Sequence, residues 1–396
     1  MKTLYETHLL SPDATEPFQA IHLNEANLGS VSATGWSVQA STLRGGLQEG
    51  VNVVEIHNGK LSFSVLPTRG MSIWKGCCGS VPLVWDSPVK APVNPAFINE
   101  QERGGLGWLK GFNEWFVRCG INSMGAPGMD TVLDNSGNAF DVPLTLHGKI
   151  ANIPARSVSL KITEEAIILC GEVDETMMFG PALRLHTEIR CDFGSNAMVI
   201  TDTVTNLGDN PQEHQMLYHI NYGEPLLENG SRMLAPIKQV APRDPRSAEG
   251  IESYDRYGAP EIGFVEQAYL FELLGTPDSG QTLAMLRNAA GDKASVLRYS
   301  LRDFPCFTLW KNTAGKADGY VTGLEPATSF PNPRRFEREN GRVMTLAGGQ
   351  SRTTRITIET LETPQDVEAA EAEIRELQAT EPANVHRQPV AGLSGS

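Results

Sequence analysis

Three short segments each place an ionisable side chain among turn-forming or aromatic residues. They carry His147, His219 and Glu325, and they read Leu146-His147-Gly148-Lys149-Ile150, Tyr218-His219-Ile220-Asn221-Tyr222-Gly223-Glu224-Pro225 and Thr322-Gly323-Leu324-Glu325-Pro326-Ala327-Thr328. The environment can bring the pKa values of a glutamate and a histidine toward neutrality. Two such groups held together can work as a general base and a general acid.

Each of these ionisable residues also has an ordinary structural interpretation. Glu325 is flanked by apolar residues, so it is expected to be paired or functional, because burying an unpaired carboxylate is costly. A glutamate that closes a salt bridge at a strand end would give the same pattern. His219 within an apolar strand fits a hydrogen-bonded structural histidine, and His147 before a glycine fits a turn residue that bonds the backbone.

The acidic composition excludes several classes of partner. The 396 residues include 33 Lys and Arg against 47 Asp and Glu, a formal net charge of −14. We therefore expect neither nucleic-acid nor anionic-membrane binding, because phosphate contacts need clustered Lys and Arg. No run approaches the roughly 20 apolar residues that a membrane span requires. Residues 1–17 lack the apolar core of a secretory signal.

The cysteines indicate a reduced protein. Six cysteines are too sparse for a disulfide scaffold in a chain of this length, and Cys77 and Cys78 are adjacent. Neither a Cys-x-x-Cys pair nor a His-x-x-x-His pair occurs, so the sequence gives no support for a structural zinc site. We expect a cytoplasmic protein without a metal.

Short apolar runs, punctuated by 38 glycines and 25 prolines, predict many strands rather than long helices. Residues 51–66 are typical of a hairpin, because Asn58-Gly59 suits a type I′ turn. Strict alternation predicts a half-buried strand, with its apolar face formed by Leu183, Leu185, Thr187, Ile189 and Cys191. Further alternating strands are predicted over residues 197–206, 215–222 and 352–361.

One helix is predicted near the end of the chain. Thr363 can cap it and Pro364 fits its first position. Its apolar stripe comprises Val367, Ala370, Ile374 and Leu377. The polar tail beyond Thr380 is expected to fray.

The chain is interpreted as one large β domain over residues 1–396, because it shows no internal repeat and no low-complexity linker. Residues 1–45, approximately, are expected to form an N-terminal extension, and residues 363–396 a C-terminal helix and tail. Gly-rich segments such as Arg103-Gly104-Gly105-Leu106-Gly107 predict long loops over one sheet face.

Four segments occur in the order found in the aldose 1-epimerase family. Leu146-His147-Gly148 resembles the His-Gly segment whose histidine contacts the substrate, and His219-Ile220-Asn221-Tyr222 resembles the segment that carries the catalytic histidine. Gly323-Leu324-Glu325-Pro326 resembles the segment of the catalytic glutamate, and residues 346–352 (LAGGQSR) resemble the closing turn into the last strand. Over roughly residues 51–361 the chain resembles a divergent branch of the galactose mutarotase-like superfamily, long catalogued as a domain of unknown function.

The resemblance implies an all-β fold, a large antiparallel β-sandwich with few short helices and a C-terminal helix. It also implies an isomerase that interconverts sugar anomers by opening and closing the ring, without a cofactor. Glu325 would be the base at the anomeric hydroxyl and His219 the acid at the ring oxygen. His147 would hold ring hydroxyls by hydrogen bonding.

Further substrate-binding candidates follow from the resemblance. Arg118, within the segment Phe112–Gly120, would supply the family's substrate-binding arginine, whose usual Gly-Arg and Asn-Arg segment has no literal counterpart here. A salt bridge of Glu114 or Arg118 under the loop is an equal alternative. Trp115 and Tyr222 would either offer flat faces to a sugar or belong to the core. The remaining candidates, from the second segment, are Asn221 and Glu224.

A basic loop after Glu325 bears on the choice of sugar. Residues 331–338 include Arg334, Arg335 and Arg338, which would clamp a carboxylate, sulfonate or phosphate. The alternative is a solvated loop in which Glu337 and Glu339 are the local partners. The expected ligand is a monosaccharide or sugar derivative, either neutral or anionic.

Two other functions remain open at this point. The same scaffold suits a sugar isomerase or lyase that acts at another carbon, and it suits a carbohydrate-binding protein without catalysis. Stereochemical analysis of products distinguishes the enzymes. A binding protein would retain its affinity without depending on Glu325.

Overall fold

Alternating apolar and polar residues form the strands of two stacked β-sheets. The computed structural model describes residues 2–13, 16–28, 31 and 33–395. The strands are β1 (Thr3–Leu10), β2 (Ile21–Asn24), β3 (Trp36–Thr42), β4 (Asn52–Asn58), β5 (Leu61–Leu66), β6 (Ser72–Cys78), β7 (Val81–Leu83), β8 (Phe116–Ile121), β9 (Gly128–Leu133), β10 (Ala139–Leu144), β11 (Ser157–Thr163), β12 (Ala166–Thr176), β13 (Ala182–Asp192), β14 (Ala197–Asn206), β15 (Gln212–Tyr222), β16 (Arg232–Leu234), β17 (Ile237–Pro242), β18 (Gln267–Leu273), β19 (Gln281–Arg287), β20 (Ala294–Ser300), β21 (Cys306–Thr313), β22 (Tyr320–Ala327), β23 (Met344–Leu346), β24 (Ser351–Leu361) and β25 (Asn384–Val385).

The strands assemble into two large sheets and one separate hairpin. The larger sheet has the order β2-β3-β4-β5-β6-β8-β15-β22-β21-β18-β17-β25, with β7 beside β6 and β23 beside β15. The smaller sheet has the order β1-β11-β12-β13-β14-β24-β20-β19-β16, and β9 pairs with β10 alone. Among the described strands, β17 and β25 pair in parallel, while the other pairings are antiparallel. The predicted antiparallel β-sandwich is confirmed.

The hydrophobic core fills the space between the two large sheets. On β13 alternate residues are buried, as the period of two predicts. From the larger sheet, Tyr218, Ile220 and Leu324 enter the same core. Because side chains alternate between the faces of a strand, their neighbours His219 and Glu325 lie on the opposite face of the larger sheet. The candidate catalytic residues are therefore outside the main core.

The Asn58-Gly59 turn joins β4 and β5 at the predicted position. Asn58 Oδ1 accepts hydrogen bonds from the backbone N–H groups of Lys60 (2.9 Å) and Leu61 (2.7 Å). Gly59 has φ 102°, a conformation that glycine adopts without steric cost. The dipeptide thus fixes the hairpin locally.

The segment expected as an N-terminal extension supplies strands to both sheets. β1 pairs with β11 at the edge of the smaller sheet, whereas β2 and β3 continue the larger sheet beyond β4. Its described residues are therefore part of the sandwich.

The expectation that the tail beyond Thr380 frays is wrong. β25 pairs with β17, and Leu393 packs against Leu270, Cys306 and Phe330. Asn332 Nδ2 also donates to the Leu393 carbonyl oxygen at 2.8 Å. These partners lie far away in the sequence, so the local composition of the tail gave no sign of them.

The helices are short except for the last. They are α1 (Glu102–Gly105), α2 (Pro245–Ala248), α3 (Arg334–Glu339) and α4 (Pro364–Gln378). The α4 helix is capped by Thr363, whose Oγ1 accepts from the Asp366 N–H, and it buries Val367, Ala370 and Ile374 as predicted. Among the described residues, no helix is both long enough and apolar enough to cross a membrane.

Candidate active site

His219 and Glu325 lie side by side on neighbouring strands. The pairing of Ile220 with Leu324 sets the register of β15 and β22 so that the two residues share a face. His219 Nε2 is 3.1 Å from Glu325 Oε1. The residues are only 4% and 2% exposed, respectively. The chain therefore brings the predicted acid and base into direct contact within a closed site.

Asn221 fixes the tautomer of His219. Its Nδ2 donates to the backbone carbonyls of Glu114 (2.9 Å) and His219 (3.2 Å), so its Oδ1 is the atom that faces His219 Nδ1 at 2.6 Å. A carbonyl oxygen only accepts, so Nδ1 must carry the hydrogen. In the neutral ring, Nε2 then has a free lone pair toward Glu325. Asn221 was predicted to bind substrate; in the structure its side-chain oxygen contacts His219 and its side-chain nitrogen contacts backbone carbonyls.

Burial acts on both members of this pair. It raises the pKa of the Glu325 carboxyl well above its usual range. The charge of Arg243 lowers this pKa and the charge of Glu266 raises it, both to a smaller extent. Burial, together with the nearby His147, holds the pKa of His219 well below its usual range. Since low polarity disfavours both charged forms, burial favours the neutral pair, in which the Glu325 carboxyl is protonated and His219 carries only its Nδ1 hydrogen.

A tight turn delivers His147 to the same site. His147 has φ 59°, and its Nδ1 lies 3.1 Å from the Met124 carbonyl oxygen. A Cβ atom on Gly148 would be 1.9 Å from the Ser123 carbonyl oxygen, so only glycine fits after the histidine. The His147 ring centroid is 5.4 Å from that of His219. Burial lowers the pKa of His147 to about 4, so it enters the site as a neutral ring.

Three aromatic side chains cover the pair. The Phe112 and Trp310 ring centroids lie 5.1 Å and 5.4 Å from that of His219, and Trp108 stacks edge-on against His147 at 4.6 Å. Trp108 and Phe112 follow the Gly-rich segment 103–107, which was predicted as a loop over a sheet face. The sequence analysis assigned no site role to any of the three aromatic residues.

A buried ion pair anchors this covering loop. Arg69 donates from Nε to Glu114 Oε1 (2.6 Å) and from Nη2 to the Gly111 carbonyl (3.2 Å), and both ionic side chains are fully buried. The Glu114 carbonyl accepts from Asn221, as described above, and from Trp85 Nε1 at 3.0 Å. Arg69 therefore connects the loop to the residue that orients His219. The sequence analysis proposed a salt bridge for Glu114 but not its partner.

Charged residues near the site are paired with each other. Trp310 Nε1 donates to Glu266 Oε2 at 2.8 Å, and Arg243 Nη2 donates to Glu266 Oε1 at 3.1 Å. Arg243 Nε also donates to Asp244 at 2.9 Å. Within the described part of the chain, no group of three or more His, Cys, Asp or Glu side chains is arranged to hold a metal ion.

Arg118 lies on the opposite face of the larger sheet from His219. Its guanidinium is fully buried, and it donates to Asp202 at 2.6 and 3.0 Å and to Thr187 at 2.7 Å. Asp202 also accepts from the Tyr218 hydroxyl at 2.7 Å. Arg118 therefore forms a salt bridge, which was the alternative left open by the sequence. Its partner, Asp202, belongs to the other sheet.

Four other residues that were predicted to contact the sugar also lie away from the pair of His219 and Glu325, called the dyad below. Trp115 and Tyr222 belong to the buried core between the sheets, and the Tyr222 hydroxyl lies 2.8 Å from Ser295 Oγ. Glu224 is exposed and pairs with Lys316 at 2.7 Å. Arg335 is exposed beside Glu339 at 3.3 Å. Strand alternation explains Tyr222, because odd and even positions of β15 face different sides, whereas Trp115 precedes β8 and is not placed by alternation.

The basic loop does not form an open anion clamp. Arg334 is buried against Asp130, and Arg338 binds both Asp130 and Glu213. These carboxylates come from distant segments, so the sequence analysis did not identify them as partners. Of the predicted site residues, the structure brings together His147, His219, Asn221 and Glu325.

Comparison with known proteins identifies the family of this chain. Residues 48–360 match the family described as Domain of unknown function (DUF4432). The chain belongs to this family. A search of curated proteins finds no match.

Solved structures relate this family to aldose 1-epimerase-like proteins. A candidate aldose 1-epimerase from Klebsiella pneumoniae is 35% identical, with a TM-score of 0.91, and the match covers 98% of this chain and 99% of that one. A galactose mutarotase-like protein from Clostridium acetobutylicum is 14% identical with a TM-score of 0.59, over 82% of this chain and 98% of the other. A galactose 1-epimerase from Lactobacillus acidophilus is 12% identical with a TM-score of 0.54, over 83% and 100%. The last two show the shared fold alone, and the predicted resemblance is confirmed.

Proposed function

We propose that this protein is a carbohydrate epimerase that interconverts the anomers of a sugar by opening and closing its ring. The observation that carries the proposal is the buried contact between His219 and Glu325, with the histidine tautomer set by Asn221. Similarity to a candidate aldose 1-epimerase, 35% identical over nearly the whole chain, supports the same assignment.

The proposed reaction requires one proton on the pair throughout. In the reactive form Glu325 is ionised and His219 is protonated. Glu325 removes the proton of the anomeric hydroxyl while His219 Nε2 delivers its proton to the ring oxygen, so the C1–O5 bond breaks and C1 becomes a carbonyl. The aldehyde turns about the C1–C2 bond, and the reverse transfers close the ring on its other face.

The electrostatics of the site suit this exchange. The empty pair favours the neutral form, in which Glu325 holds the proton, and this is also the protonation state after ring opening. Burial raises the pKa of Glu325 and lowers that of His219, so the two transfers of ring opening, which leave Glu325 protonated and His219 neutral, lead to the forms that the buried site favours. His147, neutral and next to His219, is placed to hydrogen-bond a ring hydroxyl.

The test is anomer exchange followed by NMR for D-galactose, D-glucose and a panel of deoxy and acidic sugars. We expect acceleration by the wild type and its loss in Glu325→Gln and His219→Asn. The exposed Glu224→Gln is the matched control and should remain active. Binding without acceleration for every sugar would overturn the proposal and favour a carbohydrate-binding role or chemistry at another carbon.

A further inference from the structure

Two buried polar atoms beside the dyad have no hydrogen-bond partner within the described part of the chain. They are Thr308 Oγ1 and Trp108 Nε1. Thr308 and Trp108 are each 1% exposed. An unpartnered hydroxyl or N–H in the interior costs about 1–3 kcal/mol, so such groups call for an explanation.

Thr308 lies directly beside the catalytic glutamate. It is the cross-strand partner of Glu325 in the pairing of β21 with β22, so the two side chains share the site face of the sheet. Side chains at directly opposite positions have Cβ atoms about 5 Å apart. His219, Glu325 and Thr308 therefore form a row across three adjacent strands.

Trp108, in the covering loop, lies near His219 at one end of this row. Its ring centroid is 4.6 Å from that of His147 and 6.2 Å from that of His219. The indole N–H can only donate, whereas the Thr308 hydroxyl can both donate and accept. The two groups thus offer complementary hydrogen bonds next to His219 and Glu325.

The nearby charges indicate what kind of ligand satisfies these atoms. Arg243 is already bonded to Glu266 and Asp244, and the guanidinium groups of Arg334 and Arg338 are bonded to Asp130. An anionic substituent on the sugar would therefore find these arginines already bound to carboxylates, and it would lie near the carboxyl groups of Glu266 and Glu325. A neutral ring that carries hydroxyl groups has no such conflict.

We propose that the Thr308 hydroxyl and the Trp108 indole N–H bind two hydroxyl groups of a neutral sugar, and that these contacts set substrate specificity. The inference rests on the proposed function for the identity of the ligand as a sugar. It adds two binding residues and restricts the substrate class to uncharged sugars.

Thr308→Val and Thr308→Ser form the decisive pair of variants, because the first removes the hydroxyl at nearly constant shape and the second retains it. Dissociation constants would be measured by NMR titration with D-galactose, D-glucose, their monodeoxy derivatives and the corresponding uronates. We expect Thr308→Val to weaken binding of the preferred neutral sugar about tenfold, the equivalent of one lost hydrogen bond. Thr308→Ser should retain most of the affinity.

The deoxy sugars identify the hydroxyl concerned. One monodeoxy derivative should bind the wild type and Thr308→Val equally, because the contact is absent from both complexes. Trp108→Phe should show the same behaviour with a different monodeoxy derivative. The thermal stability of Thr308→Val without sugar should match or exceed that of the wild type, because an unpartnered hydroxyl has been removed. If the hydroxyl had a structural role, its removal would lower the thermal stability.

Separate readouts distinguish this inference from the proposed function. Thr308-dependent sugar binding without accelerated anomer exchange would support the inference and overturn the catalytic assignment. Accelerated exchange with wild-type affinity in Thr308→Val would overturn the inference alone. Tighter binding of uronates than of neutral sugars, or no binding of any sugar in the panel by the wild type, would also overturn it.

Discussion

Asn221 Oδ1 lies 2.6 Å from His219 Nδ1 because the Asn221 amide nitrogen is held by the Glu114 carbonyl oxygen. Glu114 in turn forms a fully buried ion pair with Arg69. The orientation of the histidine therefore depends on a chain of contacts that reaches the loop covering the site. The orientation of His219 and the position of the covering loop are connected through one backbone carbonyl, that of Glu114.

Replacing Asn221 tests this control of the tautomer. We expect Asn221→Ala to lower kcat about 10- to 100-fold, the range typical of losing a group that orients a functional histidine, with little change in sugar affinity. Asn221→Asp retains an acceptor at Nδ1 but adds a negative charge. The pKa of His219 should therefore rise, and the pH profile of kcat should shift upward, as measured by histidine NMR and by exchange rates. Wild-type kcat and profile in both variants would contradict the positioning role.

Several strands and the candidate residues could be predicted because each depends on a local pattern. Alternation indicated β13, β14, β15 and β24, and the resemblance of short segments in a fixed order pointed to His147, His219 and Glu325. No strand was predicted at β22, which carries Glu325. The His-Gly turn is equally local, since the backbone leaves no space for a side chain at Gly148.

The remaining parts of the site depend on contacts between residues distant in the sequence. Arg69 and Glu114 are 45 residues apart, and Arg118 and Asp202 are 84 apart. A single sequence does not show which carboxylate pairs with which arginine. The sequence therefore left the sugar contact and the salt bridge of Arg118 as equal alternatives, and the structure shows the salt bridge.

Gly323 tests how closely the dyad is packed. A Cβ atom at this position would be 2.7 Å from Glu325 Oε1 and 2.9 Å from His219 Cε1, so Gly323→Ala should displace one of the two side chains. A displacement of about 1 Å can reduce turnover about 100-fold. Gly258→Ala is the matched control, because a Cβ atom there meets nothing within 4 Å. Full exchange activity in folded Gly323→Ala, verified by circular dichroism, would show that the observed contact is dispensable.

The ion pair between Arg118 and Asp202 should contribute to stability rather than to substrate binding. Arg118→Met leaves the Asp202 charge buried without its partner, and we expect the free energy of unfolding to fall by about 3–5 kcal/mol. The double variant Arg118→Met/Asp202→Asn should recover part of this loss, because the uncompensated charge is removed. Urea denaturation measures both effects. KM for the sugar should stay at the wild-type value below the unfolding temperature, whereas a selective rise in KM would restore Arg118 to the binding site.

His214 should make the protein sensitive to acid. This residue is 1% exposed, its Nδ1 donates to the Ile121 carbonyl at 2.9 Å, and burial lowers its pKa to about 4. As the pH falls below about 6.5 the unfolded chain binds a proton at this position but the native protein does not, so stability decreases until the pH reaches about 4. For a shift of this size the loss is about 3 kcal/mol.

The variant His214→Asn isolates this contribution, since an amide nitrogen can replace Nδ1 as the donor to Ile121. Between pH 7 and pH 4 its free energy of unfolding should decrease by about 3 kcal/mol less than that of the wild type, as measured by urea denaturation at each pH. The same substitution at His186, whose side chain is 48% exposed, serves as the control. If the wild-type and His214→Asn curves run parallel over this range, the native protein protonates His214 as readily as the unfolded chain does, and burial of the ring does not cause the acid sensitivity.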